Sequence, residues 1–585
     1  MKRFSALAAA IVLWVLMAAP AQAQPKKEEW IELRTASFTL FSNAGEKVVR
    51  QIGADLERLR DALSQLTPGL ALNSPSPTYI FVFKNAASFR PYQRVYAGKP
   101  LESGGYFLSR QLANYVAVNG DQHGEARAII YHEYVHYVLR NNYASLPLWL
   151  HEGLAEYYST FEVAKDEARI GLPIAEYVQW LRKNPLIPLS GLFAVDEHSE
   201  SYNEAARRGA FYAESWALVH YLIAGSPERR LQATESLRLA QAGTPPDKIF
   251  RQAFGTDPAA LDRELAKYVQ SYIFNVSRVP LRTDANLAME ARPLPWADAL
   301  YRLGDLLANT GSEQAAAHFR AALAEQADHG PAMAGLGYLV ELDNRPQEAR
   351  PWYEKAAKAA PDDFLVQYLY AKNLLEDPGP DSLRQARAAL STVVRLRPDF
   401  GEAWAQLGYT YQVEEELTAE AMQAMETAHR LLPSRMDIAH NLAIAYARTG
   451  QREKAQTLIE GVLVPRAEPE LVANAREAIL DQDYIQAEKL VDQEKLEAAL
   501  PLLEQIRAGT SQENRRNQMA ARIREIQEAQ NFNHFVDRYN EAVALANKGD
   551  VRGATAILEP LVETTRDPMQ VERARTLIRR LKGPR

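Results

Sequence analysis

The chain has no cysteine in its 585 residues. That absence rules out disulfides, thiolate metal ligands, a cysteine nucleophile and a lipidated cysteine. Beyond the first 23 residues there is no uninterrupted apolar stretch of the roughly 18 residues that a spanning helix needs, so no stable membrane span is expected once the leader is gone. Positive charge is short as well: the net charge is −7, which argues against nucleic acid as a partner. Where basic residues do gather, at Arg573, Arg575, Arg579, Arg580, Lys582 and Arg585, they fit the solvated end of a last helix whose dipole they complement. The remaining composition, 47% hydrophobic and 24% charged, is that of folded globular protein. The length calls for about three or four domains.

Lys2 and Arg3 precede an apolar run from Phe4 to Pro20, and Ala21-Gln22-Ala23 follows. This is the order of a secretory signal peptide with small residues at its cleavage site. Residues 1–23 are therefore read as a leader, and the mature chain is expected outside the cytoplasm, with a bacterial periplasm as the natural compartment. Residues 24–285 mix strands and helices. Trp30 to Phe41 alternates in the way of strands, and Glu46 to Leu66 sets Val49, Ile52, Leu56, Leu59 and Leu63 on one helical stripe. Thr78 to Phe83 and Asn114 to Asn119 read as further strands, the latter leading into a helix near Glu125. After Phe161 helical stretches dominate, and Pro280, Pro293 and Pro295 punctuate a boundary.

Residues 290–465 repeat. Leu303-Gly304, Leu336-Gly337, Tyr370-Ala371, Leu407-Gly408 and Leu442-Ala443 recur at intervals of 33 to 37 residues. Small residues follow at Ala315, Ala349, Ala386, Ala421 and Ala455, and Pro361, Pro398, Pro433 and Pro465 close four of the units. This pattern resembles the tetratricopeptide repeat, a helix pair that needs small residues where its helices approach closely. The match is degenerate: the third unit carries the insertion Asp377-Pro378-Gly379-Pro380, and the signature tryptophan stands clearly only at Trp404. Five stacked pairs are expected, because one pair alone cannot cover its apolar face. Residues 466–585 read as further helical hairpins, with Tyr539-Asn540-Glu541-Ala542, Gly549, Ala554 and Leu558 marking one more unit.

Within the first part, His132-Glu133-Tyr134-Val135-His136 carries the H-E-x-x-H pattern in a helical stretch. Four-residue spacing stacks His132 and His136 on one helix face, where both imidazoles can reach one metal ion, and Glu133 projects beside them. Two core histidines are the plain alternative, but a buried apolar helix bears a heavy cost for two imidazoles and a carboxylate unless they are bonded to something. A catalytic zinc keeps three protein ligands and an open position, so a third donor should lie nearby. The metzincin pattern needs Gly and His where Leu139 and Asn142 stand, which excludes that class.

Downstream, Leu148-Trp149-Leu150-His151-Glu152-Gly153-Leu154-Ala155-Glu156-Tyr157 closely resembles the W-L-x-E-G-x-A-x-Y stretch of the gluzincins, zinc metallopeptidases of clan MA whose third ligand is a glutamate on a second helix. The resemblance implies an α+β zincin-like catalytic domain followed by an all-α tetratricopeptide-like superhelix, with Zn2+ held by His132, His136 and Glu152. It makes Gly153 and Ala155 the small positions that let two helices approach, and Glu156 the acid that orients a ligand histidine. His151 is a rival donor at a variable position of that motif. The implied chemistry is peptide-bond hydrolysis, with Glu133 as general base and then acid. The oxyanion donor is expected at Tyr212, in Phe211-Tyr212-Ala213-Glu214-Ser215-Trp216.

The spacer from His136 to Glu152 is shorter than in the aminopeptidase branch, and no G-x-M-E-N-like segment precedes the metal helix, so an endopeptidase is expected rather than an aminopeptidase. Zincins commonly take peptide along a sheet edge above the metal helix, and Asn114 to Asn119 is the candidate edge. The repeats are expected to bind a protein partner or the substrate. The competing reading is a repeat scaffold that binds zinc and performs no proteolysis.

Overall fold

A computed structural model describes residues 26–583 apart from short segments at 73–76, 97–98, 101–103, 111, 122, 144–145, 197, 200–204, 256–257, 283–287 and 415–416. The leader expected at residues 1–23 lies outside the described residues. The chain divides into two compact units, one ending at Ile438 and one running from Ala439 to Arg585. No described helix is long and apolar enough to cross a membrane.

The first unit is built on a six-stranded sheet. Its strands are β1 (Trp30–Arg34), β2 (Thr39–Ser42), β3 (Thr78–Phe83), β4 (Gly105–Ser109), β5 (Asn114–Asn119) and β9 (Glu290–Leu294), in the order β9-β1-β2-β3-β5-β4. β2, β3 and β5 are parallel, with Ile80 opposite Leu40 and Val116. β4 and the pair β1–β9 run antiparallel to their neighbours. A strand buried on both faces reads as a continuous apolar run, and Thr78-Tyr79-Ile80-Phe81-Val82-Phe83 is one.

The two faces differ in chemistry. Leu33, Leu40, Ile80, Val82, Val116 and Val118 face one way and pack on helices of residues 46–269. These include α1 (Glu46–Leu66), whose stripe Val49, Ile52, Leu56, Leu59 and Leu63 is buried as the sequence predicts. α2 (His123–Asn142), α3 (Leu148–Ser159), α4 (Ala175–Lys183), α5 (Ala205–Ala224), α6 (Pro227–Gln241), α7 (Pro246–Phe254) and α8 (Pro258–Val269) complete that layer, beside a small antiparallel sheet of β6 (Glu162–Ala164), β7 (Glu167–Ile170) and β8 (Ser277–Pro280).

The opposite face is aromatic: Phe41, Tyr79, Phe81, Phe83 and Tyr115 share a core with Leu300, Tyr301, Leu303, Leu307 and Phe319 of the first repeat. That repeat is α9 (Trp296–Asn309) and α10 (Ala315–Glu325). Arg302 lies in this interface with its guanidinium carbon 5.1 Å from the Phe41 ring centre, 4.9 Å from Tyr79 and 5.0 Å from Tyr301. A buried guanidinium is tolerated where ring faces and a carboxylate meet it. Asp305, one turn on, accepts a hydrogen bond from the Tyr115 hydroxyl at 2.9 Å, and burial pushes its carboxyl up to about 6. The domain boundary read near residue 285 is therefore displaced. β9 lies beyond it and completes the sheet, and the first repeat is the cover of the aromatic face.

The helix pairs continue as α11 (Gly330–Leu342) with α12 (Pro346–Ala359), α13 (Phe364–Leu374) with α14 (Pro380–Leu396), and α15 (Gly401–Val413) with α16 (Ala419–Leu431). Their small residues work as the periodicity predicts. A Cβ on Gly304 or Gly335 would meet the Phe319 ring at 2.8 and 2.6 Å, so that ring is clasped between two successive first helices. Ala315, Ala349, Ala386 and Ala421 are all fully buried. The insertion at residues 377–380 becomes a turn that starts α14 with Pro380 in its first turn, where its missing N–H costs nothing.

α17 (Met436–Arg448) spans the division between the units, and α18 (Arg452–Leu458) follows it. Further along the second unit are α19 (Pro469–Asp492), α20 (Leu496–Gly509), α21 (Glu513–Asn547), α22 (Val551–Thr564) and α23 (Pro568–Lys582). The 35-residue α21 serves two cores, one with Leu480, Leu503 and Ile506 and one with Leu558, Leu561 and Ala574.

A chain ending at residue 285 would bare the aromatic face and lack β9. It is expected to bind a hydrophobic dye and to lose the cooperative thermal transition of the full chain. Cooperative melting of that shortened chain at the full-chain temperature would show that the repeats are not part of the first core.

Candidate metal centre

α2 buries Ile130, Tyr131, Tyr134, Val135, Val138 and Leu139 against the aliphatic face of the sheet. The same 3.6-residue period turns His132, Glu133 and His136 to another side. α3 packs on α2 and on α5, burying Trp149, Leu150, Glu152, Gly153, Leu154 and Ala155. Gly153 sets how close α3 and α5 come, because a Cβ there would lie 2.4 Å from the Ser215 carbonyl oxygen and 2.6 Å from Val219 Cγ2. A backbone oxygen cannot step aside cheaply, so only glycine fits.

This packing brings His132, His136 and Glu152 together, the one group of three or more His or acidic side chains among the described residues that could hold a metal ion. His132 Nε2 and His136 Nε2 are 2.9 Å apart, and Glu152 Oε2 is 3.5 Å from the first and 3.1 Å from the second. Ligand atoms at 2.0–2.2 Å from a tetrahedral zinc stand about 3.3–3.6 Å from one another, so the His132–Glu152 separation falls in that range and the other two would have to open by a few tenths of an ångström to admit the ion. His136 Nδ1 is buried without a hydrogen-bond partner. The donor set, two imidazoles and a carboxylate, is one that zinc accepts.

The electrostatics favour a positive charge at this point. Burial alone would lower the His132 pKa, but the hydrogen bond to Glu152 and the charges of Glu156, Glu133 and Glu152 outweigh it and pull the imidazole up to about 9. Burial works to raise Glu152, yet the two histidines hold its carboxyl well below the usual range. Three carboxylates around two imidazoles attract a cation, whether proton or metal.

Glu156, one turn after Glu152, stands 3.5 Å from His132 Nδ1 through Oε1, and the Tyr177 hydroxyl of α4 donates to the same oxygen at 3.1 Å. Glu156 thus lies against Nδ1 of His132, while Nε2 of the same ring faces His136 and Glu152. His151 is outside the three-residue group. Its ring stacks on His136 at 4.3 Å between centres and 11° between planes, and burial, with the His136 charge adding, drives its pKa down to about 3. Glu133 is half-buried beside His132. Tyr212 on α5 is half-buried with its ring centre 6.3 Å from that of His132, so the structure brings the expected oxyanion donor alongside the cluster.

Two features went unread in the sequence. Tyr177 has no motif around it and reaches Glu156 only through the packing of α4 on α5. The sheet edge is different from the expected one: Asn114–Asn119 is interior, hydrogen-bonded to β3 on one side and β4 on the other, and all six of its residues are buried. Gly105–Ser109 is the outermost strand there among the described residues, and it runs beside α2. A Cβ at Gly105 would lie 2.8 Å from the Ala117 carbonyl oxygen, so a glycine marks the close approach of the added strand.

Residues 126–238 match a family described as protein of unknown function (DUF1570). No curated protein matches the chain. Among solved structures, YrrB, described as a TPR protein with an unusual peptide-binding site, is 23% identical, with 31% of this chain and 92% of that one covered and a TM-score of 0.27. PilF of Pseudomonas aeruginosa is 18% identical over 39% of this chain and 97% of its own, with a TM-score of 0.27. MamA from Desulfovibrio magneticus RS-1 is 20% identical over 29% and 96%, with a TM-score of 0.25.

Two outcomes follow from this packing. Gly153→Ala is expected to cost about 1–3 kcal/mol of stability, the range for overpacking, measured by denaturant unfolding; a neutral substitution would mean that α3 and α5 can separate freely. Glu214, buried on α5, accepts from the Ile187 N–H at 2.7 Å and leaves its other oxygen unpartnered. Burial, with the charge of Asp262 adding, outweighs that bond and pushes its carboxyl from 4.5 up to about 8. The folded state therefore holds a proton that the unfolded state has lost, and stability falls as pH rises from about 4.5 to about 8. Glu214→Gln keeps the acceptor and cannot ionise, so its melting temperature should decline less across that window and exceed that of the wild type most at its upper end. Parallel pH profiles would remove Glu214 from the account.

Proposed function

We propose that the first unit is a zinc-dependent peptidase of the gluzincin type, exported from the cytoplasm, and that the helical repeats engage a protein partner or the substrate. The observation that carries the reading is the convergence of His132, His136 and Glu152 within hydrogen-bonding distance of one another, with Glu133 on the same helix and Glu156 behind His132. His132 Nε2, His136 Nε2 and Glu152 Oε2 would hold the ion. A zinc bound there supplies Lewis acidity toward a carbonyl and toward water.

The chain's own groups do the rest. Glu133 accepts a proton from the attacking water and delivers it to the departing amine. Tyr212 donates a hydrogen bond to the oxygen on which negative charge develops. Tyr177 and Glu156 fix the His132 ring so that Nε2 faces the cluster. β4, the outermost strand on that side among the described residues, would take an extended peptide as a further strand. An endopeptidase is favoured, because no G-x-M-E-N-like segment precedes α2 in the sequence.

The purified protein is expected to carry one zinc per chain by elemental analysis, and His136→Ala to lose it. Glu133→Gln should retain zinc while hydrolysis of an unfolded-protein or peptide-library substrate drops by about 10² to 10⁴, the usual contribution of a general base. Tyr212→Phe should lower turnover less, since it removes one stabilising group of several. Full activity in Glu133→Gln would end the catalytic assignment. Zinc binding without hydrolysis of any substrate by the wild type would favour the metal-binding scaffold instead.

A further inference from the structure

Helices α1 and α2 and the segment that follows α3 enclose a cavity of about 570 Å³, a volume usual for sites that take small molecules. Gln51, Asp55 and Arg58 of α1 line it, at the four- and three-residue spacings that keep side chains on one helix face. Opposite them stand Arg127, Ala128 and Tyr131 of α2, and then Phe161, whose ring meets that of Tyr131 edge-on at 5.3 Å between centres. His132, Glu133, His136, Glu152 and Tyr212 are not among the lining residues. The cavity lies one helical turn from them: Ala128 precedes His132 by four residues, and Thr160, also on the lining, follows Glu156 by four.

The charges inside do not balance. Asp55 is 4% exposed and meets both arginines. Arg58 Nη1 donates to its Oδ1 at 3.4 Å, and Arg127 Nε stands 3.3 Å from its Oδ2. Gln51 Nε2 donates to Oδ1 as well, at 3.0 Å. Arg127 Nε is buried and, despite its nearness to Asp55, has no hydrogen-bond partner. A guanidinium carries five N–H donors in a fixed fork, so one carboxylate shared with an amide leaves most of two such sets unmatched. Thr160 cannot take them up, because its hydroxyl donates to the Tyr157 carbonyl and accepts from the Gly171 and Leu172 N–H groups. The other acid on the lining, Glu162, is exposed on β6. The Arg127 side chain is 35% exposed, so the cavity reaches solvent at that side.

We infer that this cavity binds a small organic anion, a carboxylate or phosphate group on an apolar body, with Arg58 and Arg127 at the charged end and Tyr131, Phe161 and Leu172 around the body. The planar fork of arginine matches the oxygens of either group. Two guanidinium groups against one buried carboxylate leave a single positive charge, which one such anion neutralises. A bare inorganic ion would leave the aromatic and aliphatic walls wet. An uncharged apolar molecule would cover the N–H groups without bonding them, at the cost of desolvating them. Gln51 and Asp55 are positioning residues, since they hold the guanidinium groups beside the cavity and would not touch the anion's body. The site needs neither a metal nor the peptidase reading above.

The test is titration calorimetry on the full chain with 3-phenylpropionate and phenyl phosphate as probes. The neutral 3-phenylpropanamide controls for charge and inorganic phosphate for the apolar body. At least one of the two anions should bind about tenfold or more tightly than the amide, and the tighter of the two identifies the charged group. Phenyl phosphate should likewise bind more tightly than inorganic phosphate. Arg58→Gln and Arg127→Gln should each weaken the tighter probe by about tenfold or more. These changes also take a partner from Asp55, so Val163→Trp serves as a second variant: it keeps both arginines, fills the cavity from β6, and should abolish binding while melting as the wild type does. His136→Ala should bind the probes as the wild type does, which separates this site from an anion sitting on a zinc ion and keeps the result apart from the fate of the peptidase reading. No binding of either anion up to about 10 mM, equal affinity for acid and amide or for phenyl phosphate and inorganic phosphate, unchanged binding in Val163→Trp or in both arginine variants, or loss of binding in His136→Ala would overturn the proposal.

Discussion

Strand β3 is apolar at five successive positions, Tyr79 to Phe83, and it lies in the middle of the sheet, so neither of its faces can meet water. The chain answers with two unlike covers. Aliphatic side chains meet α1, α2 and the helices behind them, and aromatic side chains meet the first repeat. Every other arrangement in the first unit depends on this double burial. It holds α2 flat against the sheet, and so turns the two histidines outward together. It also makes the repeats a structural wall before they can be anything else. The polar groups admitted into that wall are matched: Arg302 is caged by three rings, and Asp305 is bonded to Tyr115.

The candidate site was more legible in the sequence than its surroundings were, for a physical reason. Residues four apart on one helix stay neighbours whatever the fold does, so His132 and His136 could be placed without a structure. Glu152 came from a resemblance whose small residues, Gly153 and Ala155, have a packing meaning that the structure bears out at Gly153. Tyr177 and the edge strand depend on contacts between segments far apart in sequence, and no local pattern encodes them. Gly105–Ser109 and Glu290–Leu294 went unread, while the strands within Trp30 to Phe41, Thr78–Phe83 and Asn114–Asn119 were visible in the sequence. Their order was not, because a central strand and an edge strand that is covered on both faces have the same composition. The domain boundary misled for a similar reason: Pro280 and Pro293 lie in the edge strands β8 and β9, and Pro295 precedes α9 at its N-cap, so prolines that read as punctuation belong to elements of the first unit.

Repeat pairs α11 to α16 add a different constraint. Their stacking depends on glycine and alanine at helix crossings, which leaves larger side chains to border the seams between successive pairs. An aliphatic residue from elsewhere in the chain can settle on such a seam without disturbing the crossings beneath it. The first unit thus joins a sheet with strict register to a stack with tolerant surfaces, and the joint between them is side-chain chemistry rather than shared backbone pairing.

The pairing of β1 with β9 sets Trp30 opposite Leu294, so the first strand made waits for nearly the last residues of its own sheet. At a synthesis rate of about 5–20 residues per second, that wait is on the order of 13 to 50 seconds. Throughout it, β1 offers an unpaired edge and β3 an uncovered aromatic surface. Both are the features by which nascent chains stick to one another. The hazard belongs to the order in which the protein emerges and not to its final stability. A helper that shields aromatic surface would matter most for chains whose synthesis has passed β5 and has not yet reached α9.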